Sequence, residues 1–195
     1  MPSSNRDSFS QNAYLLLTLL IQAAVFSVFV YSLSVLQWHA LNRWPFLVTE
    51  LLMLVIVTFG HVAVARDLAW HVDLLDVLLP FLIGLLQCVP MLLLESVPKD
   101  AMWWFVCYLG LANVSFANLI VVRMKTPHTI ALPLVRRRTI LIFAHSYLLV
   151  LAIVACYYEW HVELVGVLFM VEHLGIVAGL YWLDLRTRHD SMPSN

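Results

Sequence analysis

Three histidines and several carboxylates and amides stand in stretches that are otherwise apolar: His61, His145 and His173, with Glu50, Asp73, Asp76, Gln87, Asn113, Asn118 and Glu172. An ionisable side chain in hydrocarbon costs roughly 2.5 to 3.5 kcal/mol or more, so each one needs a partner, a water-filled cavity or a ligand. Three imidazoles with a carboxylate suit Zn, Fe or Mn, and two opposed imidazoles from different segments suit a b-type haem. Histidine also titrates near neutrality, so the same groups suit proton transfer. No H-x-x-x-H or E-x-x-H pair fixes a metal on one helix, and there is no P-loop, G-x-S-x-G elbow, H-E-x-x-H or carbonyl selectivity filter.

Spacing gives these groups directions. At about 100° per residue, Asp73, Asp76, Pro80, Gly84 and Gln87 fall within roughly 60° of one another, with Glu95 a little beyond. The opposite face is Leu and Val, so this segment should turn its polar face into a helix bundle. Pro80 frees a backbone carbonyl one turn earlier, which a membrane tolerates only where protein or water satisfies it. Glu50 and His61 are three turns apart on one face, about 16 Å along the axis, with Glu50 close enough to an interface to be solvated. Glu172 and His173 lie close to mid-membrane and point about 100° apart. Glu172 shares a face with Gly175 and Gly179, a G-x-x-x-G that permits close helix approach, whereas His173 points with Gly166 and Met170. By depth, His61, His145 and His173 are the candidate metal ligands, with Asp73 and Asp76 near them. Asp73, Asp76, Gln87, His61, His173 and Glu172 are the candidate lining of a transport or proton path.

The elements that must position these residues are membrane spans. Of 195 residues, 62% are hydrophobic and 12% charged, with mean hydropathy +0.87. That balance excludes a soluble globule and a disordered chain alike. A net charge of -1 with no concentrated basic surface excludes a nucleic-acid partner. A bilayer-crossing helix needs about 20 mostly apolar residues. Six stretches qualify: Tyr14 to Leu36, Pro45 to Val64, Leu74 to Leu94, Ala101 to Val122, Thr139 to Tyr158 and Val162 to Leu183. Trp38, Trp44, Trp70, Trp103, Trp104, Trp160 and Trp182 all fall at proposed span ends, the depth an indole prefers. The first span is too long for a cleaved signal peptide. Apolar runs without alternation exclude barrel strands.

With six spans, Arg6, Arg66, Arg123, Lys125, Arg136, Arg137, Arg138, Arg186 and Arg188 share one side and only Arg43 and Lys99 the other. The positive-inside rule then puts both termini in the cytoplasm and makes Arg123 to Arg138 a basic cytoplasmic loop. Cys88, Cys107 and Cys156 lie inside spans without C-x-x-C spacing. They read as buried small hydrophobes, with a Cys88 to Cys107 bridge allowed by depth. One internal echo stands out: Trp70-His71-Val72-Asp73-Leu74-Leu75-Asp76-Val77-Leu78 against Trp160-His161-Val162-Glu163-Leu164-Val165-Gly166-Val167-Leu168. Each copy opens the third helix of its half. Two three-helix units, 14–94 and 101–183, would be inverted relative to one another and place a pathway at their interface. A second echo, Phe59-Gly60-His61 against Phe143-Ala144-His145, puts both histidines at the same depth and counts against simple inversion.

The sequence therefore specifies an all-α integral membrane protein with one six-helix domain, short cytoplasmic tails at 1–13 and 184–195, and a setting in the bacterial inner (plasma) membrane. Its partners would be the lipid bilayer and a second copy or a membrane complex. Three functions fit, and whether the chain is an enzyme stays open. One is a small transporter or channel moving a proton, cation or small polar solute along the Asp/His path. Another is a membrane redox or enzyme subunit carrying haem b or a transition metal on its histidines. The last is an accessory subunit without chemistry.

Overall fold

In hydrocarbon every unpaired backbone N–H or C=O costs several kcal/mol, and a helix is the structure that pairs them all within one segment. The computed structural model describes residues 4–35, 41–66, 73–97, 99–125 and 128–190, and among these no strand occurs. The elements are α1 (Ser4–Val35), a short 3-10 turn (Leu41–Arg43), α2 (Trp44–Arg66), α3 (Leu74–Leu93), α4 (Ala101–Lys125), α5 (His128–Tyr157) and α6 (Val162–Asp190). All six α-helices contain a segment long and apolar enough to cross a membrane, which fits an integral membrane protein.

Three helices outrun their apolar segments. α1 begins at Ser4 instead of Tyr14, and α6 continues to Asp190 instead of Leu183. The basic loop expected over Arg123 to Arg138 is largely helix, since α4 runs to Lys125 and α5 starts at His128. Hydropathy marks where hydrocarbon ends, and backbone hydrogen bonding continues past that point into polar surroundings. Trp38, Trp70, His71 and Val72 lie outside the described residues, as do the side chains of Arg6, Arg66, Arg136, Arg137, Arg138, Arg186 and Arg188.

The helices close a ring in the order α1, α3, α4, α5, α6, α2, with α5 and α6 meeting over the shortest contact of that circuit. Two glycines set the closest approaches. A Cβ on Gly84 of α3 would run into Cγ2 of Ile21 on α1, and one on Gly166 of α6 would stand 2.7 Å from Cε2 of Phe46 on α2. α3 turns as its pattern requires: Asp76, Pro80, Ile83, Gly84, Gln87, Pro90 and Met91 are buried, while Leu74, Leu78, Phe81, Leu85 and Leu92 are exposed.

The half of the ring away from the termini is filled by an aromatic cluster. Phe46 meets Trp104 edge-on at 5.1 Å, and Trp104 lies 4.3 Å from Tyr108 and 5.0 Å from Phe105, with Phe169 of α6 closing the group. Trp104 is fully buried here, against the expectation that it marks an interface; its neighbour Trp103 is 57% exposed and takes that role. Adjacent residues of a helix point about 100° apart, so the pair divides between core and surface. The three cysteines are free, so the Cys88 to Cys107 bridge does not form.

Candidate functional site

The half of the ring nearer the termini is hollow. A cavity of about 190 Å³ lies between α2, α4, α5 and α6, with Ile83 reaching in from α3. Its wall is aliphatic except for His61, Ser115, Asn118, His145 and His173. The three histidines that share this depth in the sequence thus face one space. They do not form one cluster.

His145 and His173 come together where α5 and α6 meet, with ring centroids 5.1 Å apart and planes at 76°. Glu172 reaches across to α5, and Nδ1 of His145 donates to its Oε1 over 3.0 Å. Nδ1 of His173 donates to the Phe169 carbonyl over 2.9 Å. A carbonyl only accepts, so Nδ1 of His173 carries the hydrogen and the neutral ring presents a bare lone pair at Nε2. His145 is oriented the same way by a carboxylate. Nε2 of each ring, and Oε2 of Glu172, are buried without a hydrogen-bond partner. An N–H bond to a carboxylate or carbonyl, with the other nitrogen free, is the arrangement that orients metal-ligating histidines.

One donor atom from each of His145, Glu172 and His173 lies within 4.8 Å of the other two. Two imidazoles and one carboxylate suit Zn or non-haem Fe, leaving coordination positions open for a substrate or water. A haem does not fit: the two rings stand edge to face on neighbouring helices, and the cavity falls well below the roughly 300 Å³ at which pockets for drug-sized ligands begin.

His61 stands apart from that cluster, on the α2 wall. Its Nδ1 pairs with the Tyr14 hydroxyl of α1 at 3.2 Å, and Thr18, one turn on from Tyr14, donates to the Tyr14 carbonyl.

The other polar groups singled out by spacing lie away from the cavity. Asp73 caps α3, accepting from the Leu75 and Asp76 N–H groups, and Asp76 Oδ2 accepts from the Asp73 N–H in return. Lys125 Nζ of α4 lies 2.6 Å from Asp73 and 2.9 Å from Asp76, closing both carboxylates in an ion pair. Lys125 holds the Asp73 carboxyl below the usual carboxylate range. Gln87 Oε1 accepts from Gln22 Nε2 of α1 at 3.1 Å, and the Gln22 carbonyl oxygen accepts from Thr58 of α2 at 3.5 Å. Asn113 donates to its own helix at Leu109, and Glu95 lines an open groove at the loop end with Arg43 and Lys99. Glu50 is 1% exposed and so is not solvated by an interface. The residues that spacing did not single out are Tyr14, Gln22, Thr58, Trp104, Tyr108 and Lys125. Tyr14, Thr18 and Gln22 recur every fourth position of α1, a polar stripe that could have been found.

Neither family models, nor curated proteins, nor solved structures give a match to this chain.

Proposed function

We propose that this protein holds a divalent transition metal inside the membrane, between His145, His173 and Glu172, and uses it on a slim, lipid-soluble molecule admitted to the adjoining cavity. The observation that carries this reading is the pair of buried imidazoles, each held by an Nδ1 bond and each with Nε2 unsatisfied beside an aliphatic space. An unpaired buried polar atom costs about 1 to 3 kcal/mol, so two at one spot call for a ligand. The ion would act as a Lewis acid or redox centre, while the chain orients the imidazoles and keeps water out.

The test is metal content. Protein purified in detergent and supplied with zinc should hold one equivalent per chain. His173→Ala and His145→Ala should each lower affinity by at least about 100-fold, as loss of a first ligand exceeds the 10- to 100-fold effect of its supports. Cys156→Ala, which alters a thiol outside the cluster, should bind as the parent does. Folded protein that takes up no metal refutes the proposal.

A second reading, passage of a proton or cation along the histidines, draws support from one observation: His61, His145 and His173 occupy one cavity. Its mark is ion flux in liposomes that His61→Ala or His173→Ala abolishes. The aliphatic wall favours the first reading. From the charge distribution we also infer cytoplasmic termini and a bacterial plasma membrane, and we propose a homodimer, since Gly175 and Gly179 meet nothing within 4 Å and leave α6 open to a second copy. Inverted duplication of 14–94 and 101–183 is supported by α3 and α6 both opening inside the echoed segments. The aligned Asp76 and Gly166 nonetheless do different things, one pairing with Lys125 and the other seating Phe46.

A further inference from the structure

The aromatic half of the bundle contains one polar spot that packing does not explain. Glu50 of α2 sits at the seventh position of its helix, 1% exposed, and its Oε1 has no hydrogen bond. Facing it from α4 are the Tyr108 hydroxyl and the Trp104 indole. Tyr108 Oη and Trp104 Nε1 are likewise buried, close to the carboxyl but outside hydrogen-bond geometry to it or to any other group. Both residues are 0% exposed. The thiols of Cys88 on α3 and Cys107 on α4 are the other titratable groups near this carboxyl. None of the ion pairs among the described residues includes Glu50.

Two consequences follow. A lone carboxylate in a low-dielectric interior costs several kcal/mol, and such a group takes up a proton instead. Three polar atoms from two helices, each short of a partner, are also what a buried water requires, since it makes about two to four hydrogen bonds and is placed where polar groups would otherwise be orphaned. The Tyr108 ring continues the line inward, meeting the His173 ring edge-on with centroids 6.1 Å apart.

We propose that Glu50, Tyr108 and Trp104 form a buried proton-exchange site whose ligands are a proton and a bridging water. The Glu50 O–H gives its hydrogen to the water while the carboxyl takes another from it, so the group stays neutral and no charge or electron is moved. Tyr108 Oη and Trp104 Nε1 hold the water in place. The site lies outside the lining of the histidine cavity and is independent of whether the cavity binds a metal.

Infrared spectroscopy of the full chain in liposomes at neutral pH tests this. The spectrum of the parent minus that of Glu50→Gln should contain a protonated carboxyl C=O band, and that band should shift when H₂O is replaced by D₂O within minutes to hours. Tyr108→Phe should displace the band, because it loses one hydrogen bond to the bridging water. If Glu50→Gln does not fold, ¹³C-glutamate labelling of the parent and of Glu172→Gln makes the assignment, since Glu95, Glu159 and Glu163 lie in exposed positions and Glu172 is the other glutamate inside a span. Absence of a protonated carboxyl band overturns the proposal. So does a band that resists D₂O for days, or one unmoved by Tyr108→Phe.

Discussion

The separation of α2 and α6 rests on one missing methyl group, and restoring it should loosen the bundle. A Cβ on Gly166 would stand 2.7 Å from Cε2, 2.8 Å from Cζ and 3.3 Å from Cδ2 of Phe46. Ordinary contact begins at 3.4 Å, so the ring must retreat by roughly 0.7 Å, the difference between 3.4 and 2.7 Å. It has no free direction, being fully buried, edge-on to Trp104 at 5.1 Å and tilted against Phe105 at 6.1 Å. Overpacking of this kind costs about 1 to 3 kcal/mol, against a helix-propensity gain for Ala over Gly of about 0.8 to 1 kcal/mol. With the ring held on two sides the clash should win, leaving Gly166→Ala about 1 to 2 kcal/mol less stable. For a chain of this size that lowers Tm by roughly 2 to 8 °C. The same substitution at Gly60 or Gly175, where nothing lies within 4 Å, meets no clash and should raise stability by up to about 1 kcal/mol. Thermal unfolding followed by circular dichroism in one detergent gives all three values. Phe46→Leu should recover part of the Gly166→Ala loss by withdrawing the ring. If Gly166→Ala matches or exceeds the parent, or all three alanines shift Tm alike, the close approach of α2 and α6 is wrong.

Lys125→Met withdraws the cation from Asp76, whose side chain is 4% exposed, and should cost up to about 3 kcal/mol, the low end for a buried pair because Lys125 itself is 21% exposed. Asp76→Asn in that background should recover part of the loss in thermal unfolding, and an undiminished Lys125→Met would count against the pair. The Asp73 carboxyl is held below its usual value by Lys125, so its contribution is complete above about pH 4 and disappears as pH falls through the lowered folded value. Tm measured from about pH 6 down to about pH 2 should therefore fall more steeply for the parent than for Asp73→Asn, in which the asparagine still caps α3. Gln22→Leu should cost about 1 to 3 kcal/mol by orphaning the Gln87 amide, and the double replacement with Gln87→Leu should lie close to the parent. Additive losses would show that the two amides do not meet.

The spans were legible because bilayer thickness imposes a length on any apolar segment, and α2, α3 and α4 begin or end within a residue or two of where hydropathy alone puts a boundary. The face of α3 was legible for the same kind of reason: carboxylates, a proline and a glycine repeating at helical spacing admit one inward side. What hydropathy could not carry was the ring order. Asp73, Asp76 and Gln87 share a face with no mark of whether it meets a cavity or another helix. The answer depends on Lys125 at the far end of α4 and on Gln22 in the middle of α1, both distant in sequence. Depth puts His145 and His173 at one level, where their rings stand 5.1 Å apart, yet depth says nothing about azimuth, and azimuth is what sets Glu172 rather than His61 beside them.

Pairing, more than burial, separates the polar groups that hold this fold from those that call for a ligand. Asp73 and Asp76 have a cap and a cation, and Gln87 Oε1 accepts from the Gln22 amide, so much of their cost in an apolar interior is offset, with Gln87 Nε2 left over. Nε2 of His145 and of His173, Glu172 Oε2, Glu50 Oε1, Tyr108 Oη and Trp104 Nε1 have no hydrogen bond. At about 1 to 3 kcal/mol each, these six atoms forgo a sum comparable to the whole stability of an ordinary domain. Leucine or phenylalanine at the same positions would pack without that cost. Six of the orphaned atoms gather in two places, three where α5 meets α6 and three around the Glu50 carboxyl, while Gln87 Nε2 and Arg43 Nη1 lie elsewhere. A bundle selected for packing alone has no reason to hold three such atoms at one helix contact, and the proposed metal and proton sites would each supply one.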